Sequence, residues 1–259
     1  MEPLRVSLIQ TDIFWENTSA NLYKQEANIS SLAGKTDLVV LPEMFTTGFS
    51  MNAESLSEWN DGTTMTSLRR WAGQHDLAIA GSFIGRTGDR CYNRGFIVLP
   101  DGDVAYYDKH HLFRMGEEGS RFSAGSESPI VEYKGWKIRL LICYDLRFPV
   151  WCRNVDNAYD LLLFVASWPQ SRVHAWRSLL VARAIENAAF VCGVNRVGTD
   201  GMALVYRGDS MIVDEKGNII AETEPYVEQT ITAELDGERL LRFRQKFPVW
   251  KDADRFSLM

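Results

Sequence analysis

Three residues whose side chains can share one reaction are spread through the chain at wide spacing: Glu43, Lys109 and Cys143. A thiol must become a thiolate before it attacks. A carboxylate can take that proton. A fixed ammonium can then hold the negative charge that develops on a carbonyl oxygen at a tetrahedral centre. The backbone N–H of Tyr144, directly after Cys143, is a natural second donor to that oxygen. Together these are a nucleophile, a base and an oxyanion donor. Each also has an ordinary reading: Glu43 as a loop carboxylate, Lys109 as a surface lysine, Cys143 as a small buried hydrophobe. Histidine is the alternative base, from His75, His110, His111 or His174, which leaves a Cys–His hydrolase open on residue content.

The surrounding segments explain how such residues could be displayed together. Ile138 to Ile142 is an apolar run interrupted only by Arg139, and Cys143 follows it directly. A cysteine that ends a buried strand and opens a tight turn has the geometry of a nucleophile elbow. Glu43 follows the apolar run Asp37 to Leu41 and Pro42, with Met44 and Phe45 after it. Such flanks disfavour the charged carboxylate and suit it to proton transfer. Lys109 follows the strand-like Val104 to Tyr107, in the stretch YDKHHLF.

Continuous apolar runs at 37–41 and 160–166 read as strands buried on both faces. Helical patterns alternate with them, from about Thr18 to Ala33, from Thr63 or Thr64 through Ala72, from Val173 to Asn187, and from Gly237 to about Gln245. Turn signals at Pro100 to Asp103, Lys134-Gly135 and Glu215 to Asn218 predict hairpins. Arg114 to Ser128 reads as irregular. This alternation predicts an α/β fold with mixed sheets. DLVVLPEMF and DLLLFVASW also echo each other, each a buried strand delivering polar or reactive residues at its C-terminal end. We read 1–259 as one domain with a tail from about residue 246, since no low-complexity linker or composition break interrupts it.

Composition narrows the partners. The chain has 259 residues, 46% of them hydrophobic, enough for a large core. The net charge of −6 and absence of a dense basic run argue against nucleic acid. No apolar segment approaches a bilayer span, and the N-terminus enters a strand at once. Cys91, Cys143, Cys152 and Cys192 have no CxxC spacing, so neither a zinc site nor a dithiol pair is indicated. A reducing cytoplasm is the simplest setting.

LPEMF, DKHHLF and ICYDLRFP resemble, in order and wide spacing, the three motif blocks of the nitrilase superfamily of C–N hydrolases. ASWP, ARAIENAAFV, NRVG and YRGDS extend the resemblance over residues 4 to 235. It implies a four-layer α-β-β-α sandwich with two mixed sheets, in a homodimer or higher homo-oligomer. It also implies Glu43 as base, Cys143 as nucleophile, Lys109 as stabiliser of the tetrahedral intermediate, and no metal or organic cofactor. A second glutamate of the family falls on Glu117 or Glu118, and we take Glu118. RMGEE, ICYDLRFPVWCRN and the ending KFPVWKDAD are most similar to the ω-amidase branch. That branch hydrolyses 2-oxoglutaramate and 2-oxosuccinamate to the dicarboxylate and ammonia. Ser167 departs from it, where relatives often carry Asn.

An anionic small-molecule amide needs a cationic partner. Arg147 and Arg172 are the candidates, each with a structural ion pair as its alternative. Phe45, Tyr92, Phe122 and Trp168 are expected to wall the pocket, with core packing as their alternative. Rival functions are a nitrile hydrolase, a carbamoyl amidohydrolase, an aliphatic amidase, or a silent scaffold on the same fold.

Overall fold

Strands of the first half, joined by the late strand Gln229–Leu235, form one sheet, and most of those of the second half form another, in a computed structural model that describes residues 1–257. The first half runs β1 (Leu4–Gln10), α1 (Thr18–Ser30), β2 (Leu38–Val40), α2 (Ala53–Leu56), α3 (Thr63–His75), β3 (Ala78–Thr87), β4 (Arg90–Val98) and β5 (Val104–Asp108). The second runs α4 (Glu118–Arg121), β6 (Ile130–Tyr133), β7 (Trp136–Ile142), α5 (Pro149–Cys152), β8 (Leu161–Ala166), α6 (Val173–Asn187) and β9 (Phe190–Asn195). It continues through β10 (Val197–Thr199), β11 (Val205–Arg207), β12 (Met211–Val213), β13 (Ile219–Glu222), β14 (Gln229–Leu235) and α7 (Gly237–Lys246).

The sheets have the orders β14-β1-β2-β3-β4-β5 and β13-β12-β9-β8-β7-β6. In the first, β2 lies parallel to β1 and β3, and the outer pairings are antiparallel. In the second, β8 lies parallel to β7 and β9, again with antiparallel pairings outside. The two strands whose sequences echo each other therefore hold equivalent places in two mixed sheets.

Burial on both faces explains the unbroken apolar runs. Leu38 and Val40 of β2 join the core shared between the sheets, while Val39 and Leu41 join the core under α1 and α3. On the other side Trp176, Leu180 and Ala184 of α6 cover the second sheet. Helix, sheet, sheet and helix thus make four layers. The sheets approach closely at Gly95 of β4, where a Cβ would lie 2.9 Å from Leu140 Cδ2 of β7.

Local chemistry sets the element ends. Asn17 caps α1 by accepting the Ala20 N–H. Neither Thr63 nor Thr64 caps α3; the Glu58 carboxylate accepts the Thr64 N–H instead. The β3–β4 hairpin and the short β10–β11 pair were not expected from the sequence. Neither was α4, which gives structure to part of 114–128. Past α7, a 3-10 turn at Val249–Asp252 interrupts the tail, whose residues 258–259 lie outside the described residues.

Candidate active site

The C-terminal ends of β2, β5 and β7 converge on one cluster. After β2, Pro42 ends the strand and the chain turns sharply, with Met44 at φ +46°. Ser82 of β3 pins this turn: its hydroxyl accepts the Met44 N–H at 2.9 Å and its carbonyl the Phe45 N–H at 3.1 Å. Glu43 is fully buried as a result. After β5, the Lys109 N–H donates to Asn93 O at 3.0 Å, which swings the lysine into the same space.

Cys143 ends β7 at φ +43°, a left-handed conformation uncommon for a residue with a Cβ. That is the sharp turn expected of a nucleophile elbow. Asp145 holds it. Its carboxylate accepts the Ile142 N–H at 3.1 Å, the Tyr107 hydroxyl at 2.6 Å and the His111 N–H at 3.0 Å. The elbow is thereby tied to the segment that carries Lys109.

Lys109 Nζ lies 3.0 Å from Glu43 Oε1, and 3.1 and 2.9 Å from the two carboxylate oxygens of Glu118. All three side chains are fully buried. Glu118 also accepts the Phe113 N–H at 2.6 Å. Glu117 is exposed and sits at φ +59°, so the glutamate that meets the lysine is Glu118. Two carboxylates around one ammonium shape the electrostatics. Burial alone would lower the pKa of Lys109, but Glu118 and then Glu43 outweigh it and raise it above the ordinary lysine value. Burial pushes the Cys143 thiol well up, Glu43 adds to the rise, and Lys109 works against it. Half-buried at the pocket, a thiol of raised pKa needs an adjacent base to become a nucleophile.

The cluster opens into a pocket with Lys109 and Cys143 in its lining. Tyr144, Trp168, Phe49 and Phe113 wall it, and Arg147 and Arg172 reach it. Arg147 lies over the Trp168 ring at 5.0 Å and Arg172 over the Phe113 ring at 5.2 Å. Among the described residues neither guanidinium forms an ion pair.

Phe45 is a correction. It does not line the pocket but packs in the helix-side core against Phe96, at a ring separation of 6.0 Å. The tight turn at Met44 sends it away from Glu43. Phe122 likewise belongs to a side cluster with Met44 and Ile84, and Tyr92 stacks on the Arg94 guanidinium. His110 and His111 turn their rings to Gly125 O and Asp145, and no histidine lines the pocket. Ser167 meets Glu43 chiefly through its backbone N–H, at 2.8 Å from Oε2.

Two residues escaped the sequence reading. Asn93 of β4 donates from Nδ2 to Glu43 Oε1 at 2.7 Å and to Glu118 Oε1 at 3.1 Å. Asn195 of β9 accepts the Trp168 N–H at 2.8 Å and returns a bond to Trp168 O at 3.0 Å, fixing that wall. Asn93 stands in none of the quoted segments, and Asn195, though it opens NRVG, was given no role there.

A four-layer sandwich of two mixed sheets, with a cysteine elbow facing a buried Glu–Lys pair, has the form of a carbon-nitrogen hydrolase. The family profile for carbon-nitrogen hydrolase matches residues 5–245, and the chain belongs to that family, within the nitrilase superfamily. It is similar to the omega-amidase YafV of Escherichia coli strain K12, with 45% identity over 258 residues and 100% of both chains covered. It is 36% identical to the 2-oxoglutaramate amidase of Bacillus subtilis strain 168, over 95% of this chain and 96% of that one. Among solved structures it is similar to XC1258 of Xanthomonas campestris, a superfamily protein with an arsenic adduct in its active site. That likeness has a TM-score of 0.97 and 45% identity over 100% of each chain.

Proposed function

We propose that this protein is an ω-amidase, releasing ammonia from the terminal amide of small keto-acid amides such as 2-oxoglutaramate and 2-oxosuccinamate. The observation that carries this reading is the pair of unpaired arginines, Arg147 and Arg172, in the pocket that also holds Cys143. A substrate with an amide at one end and a carboxylate at the other meets a thiol and a cation at once. A neutral nitrile or aliphatic amide would leave both guanidinium groups unused. The full-length similarity to proteins named for this activity supports the same reading.

In the mechanism, Glu43 accepts the proton of the Cys143 thiol, and the thiolate attacks the amide carbon. Lys109 and the Tyr144 N–H hold the oxyanion. Protonated Glu43 passes its proton to the amide nitrogen, the C–N bond breaks, and ammonia leaves a thioester. Glu43 then takes a proton from water, the resulting hydroxide attacks the thioester, and collapse returns the proton to the departing sulfur. Glu118 holds Lys109 in place through two contacts to Nζ. The aromatic walls limit water around the developing charge.

We carry a homodimer as part of the proposal, on the family resemblance. A cytoplasmic setting is supported by four free cysteines, three of them buried. No helix among the described residues is long and apolar enough to cross a membrane. Ammonia release from 2-oxoglutaramate by the native protein and by Cys143→Ala tests the assignment.

A further inference from the structure

We infer that Asn93 is a positioning residue for the reaction: its side-chain amide holds Glu43 and Glu118 ionised and oriented around a single lysine. This rests on the proposed reading of Glu43 as base.

The cluster has an unbalanced charge. Glu43, Glu118 and Lys109 are all fully buried, and two carboxylates face one ammonium. Like charges this close disfavour double ionisation. Burial pushes the Glu118 carboxyl up; Lys109 opposes that and Glu43 adds to it. A neutral donor that reaches both carboxylates relieves the excess without adding a cation that would compete for substrate. Asn93 Nδ2 is that donor. Its two protons go one to each carboxylate, at 2.7 Å to Glu43 Oε1 and 3.1 Å to Glu118 Oε1. Lys109 Nζ contacts the same two oxygens, at 3.0 and 3.1 Å. The four atoms form a closed ring.

The other end of the amide shows what the residue gives up. Asn93 Oδ1 is buried and has no hydrogen-bond partner among the described residues. An unpaired buried acceptor is costly, and few native groups carry one. Rotating the amide would turn that oxygen onto two carboxylates, so the charges fix its direction. Asn93 also acts from its main chain, where its carbonyl accepts the Lys109 N–H at 3.0 Å. One residue of β4 thus sets the lysine from its backbone and both carboxylates from its side chain.

Hydrogen bonds to a carboxylate favour its ionised form. Removing them shifts the pH at which the pair takes up a proton upward. The titratable groups facing Glu43 are Lys109 from the segment after β5, Glu118 from α4, Cys143 from the elbow after β7, and Tyr206 from β11. None of them replaces the lost donors.

The test is the pH dependence of Cys143 alkylation by iodoacetamide, read by the mass of the Cys143 peptide, in the native protein, Asn93→Ala and Asn93→Ser. The expected result is an acidic limb moved to higher pH by about one unit in Asn93→Ala. Asn93→Ser, with one hydroxyl donor, falls between. The limb of kcat/KM for 2-oxoglutaramate moves the same way. Coincident limbs in the native protein and a folded variant, or a shift to lower pH, would overturn the inference, even if rates fell uniformly. Should Asn93→Ala not fold, the Asn93→Ser limb decides by the same criterion. Absence of ammonia release by the native protein would count against the proposed substrate alone, because alkylation needs no substrate.

Discussion

The backbone N–H of Ser167 donates to Oε2 of Glu43 at 2.8 Å, joining residues 124 apart in the chain. Glu43 follows β2 and Ser167 follows β8, the equivalent central strands of the two sheets. The candidate base is thus held from both halves of the molecule, by Lys109 on one oxygen and by a main-chain donor on the other.

Because the donor is backbone, the side chain at this position matters little. Its hydroxyl makes only a long contact, 3.4 Å to Glu43 O. Ser167→Ala and Ser167→Asn should keep kcat/KM within about threefold, since surplus contacts of this kind carry little energy. Ser167→Pro removes the N–H and should cost roughly 100-fold or more, the scale of losing one preorganised donor at a reacting centre. Steady-state kinetics on variants shown to fold by circular dichroism check this. Equal losses in Ala and Pro variants would mean the hydroxyl is the working group.

The arginines predict a split between substrates. Arg147→Ala and Arg172→Ala should each lower kcat/KM for 2-oxoglutaramate by roughly 30-fold, equivalent to about 2 kcal/mol for a hydrogen bond to a charged group. The loss should appear mainly in KM. An uncharged aliphatic amide should lose far less. Parallel losses on both substrates would show that the guanidinium groups support the Trp168 and Phe113 walls rather than a carboxylate.

Much of this site was legible because each motif residue ends an apolar strand. Flanking sequence made Glu43, Lys109 and Cys143 candidates, and the ordered motif resemblance chose them over their ordinary readings. Neither pointed to Asn93. Its role depends on the register of β4 against β3, where it pairs with Ile84, and on a lysine 16 residues later. Phe45 misled for the opposite reason: it is adjacent to Glu43 in sequence, but the positive φ of Met44 turns it into the core. The four-layer fold followed from alternation and resemblance. The three-residue strands β10 and β11 are too short to leave a period in the sequence.

Stability should depend on an acid-sensitive tie between the sheets. Asp37, buried at the start of β2, accepts from Arg5 of β1 at 2.9 Å and 3.1 Å and from Lys134 of the β6–β7 turn. Burial opposes its charge, but these donors outweigh it and hold its carboxyl well below the usual carboxylate range. A folded-state value below the unfolded one gives stability that is present above the unfolded value and lost as pH falls through the folded one. Asp37→Asn should therefore cost about 1–2 kcal/mol at neutral pH, after allowing for the partly exposed partners. The difference should narrow on acidification below about pH 4. Urea unfolding at several pH values checks it. A difference that stays constant with pH would contradict the ion-pair account.

The central claim is that Cys143 attacks the terminal amide of a keto-acid. Ammonia release from 2-oxoglutaramate, followed for the native protein and Cys143→Ala, tests it most directly. The native protein should release ammonia and form 2-oxoglutarate in equal amounts, and Cys143→Ala should lose at least about 1,000-fold in kcat, the scale for removing an activated nucleophile. Release that survives in Cys143→Ala, or native protein inactive on this amide while active on a nitrile or an N-carbamoyl compound, would contradict it.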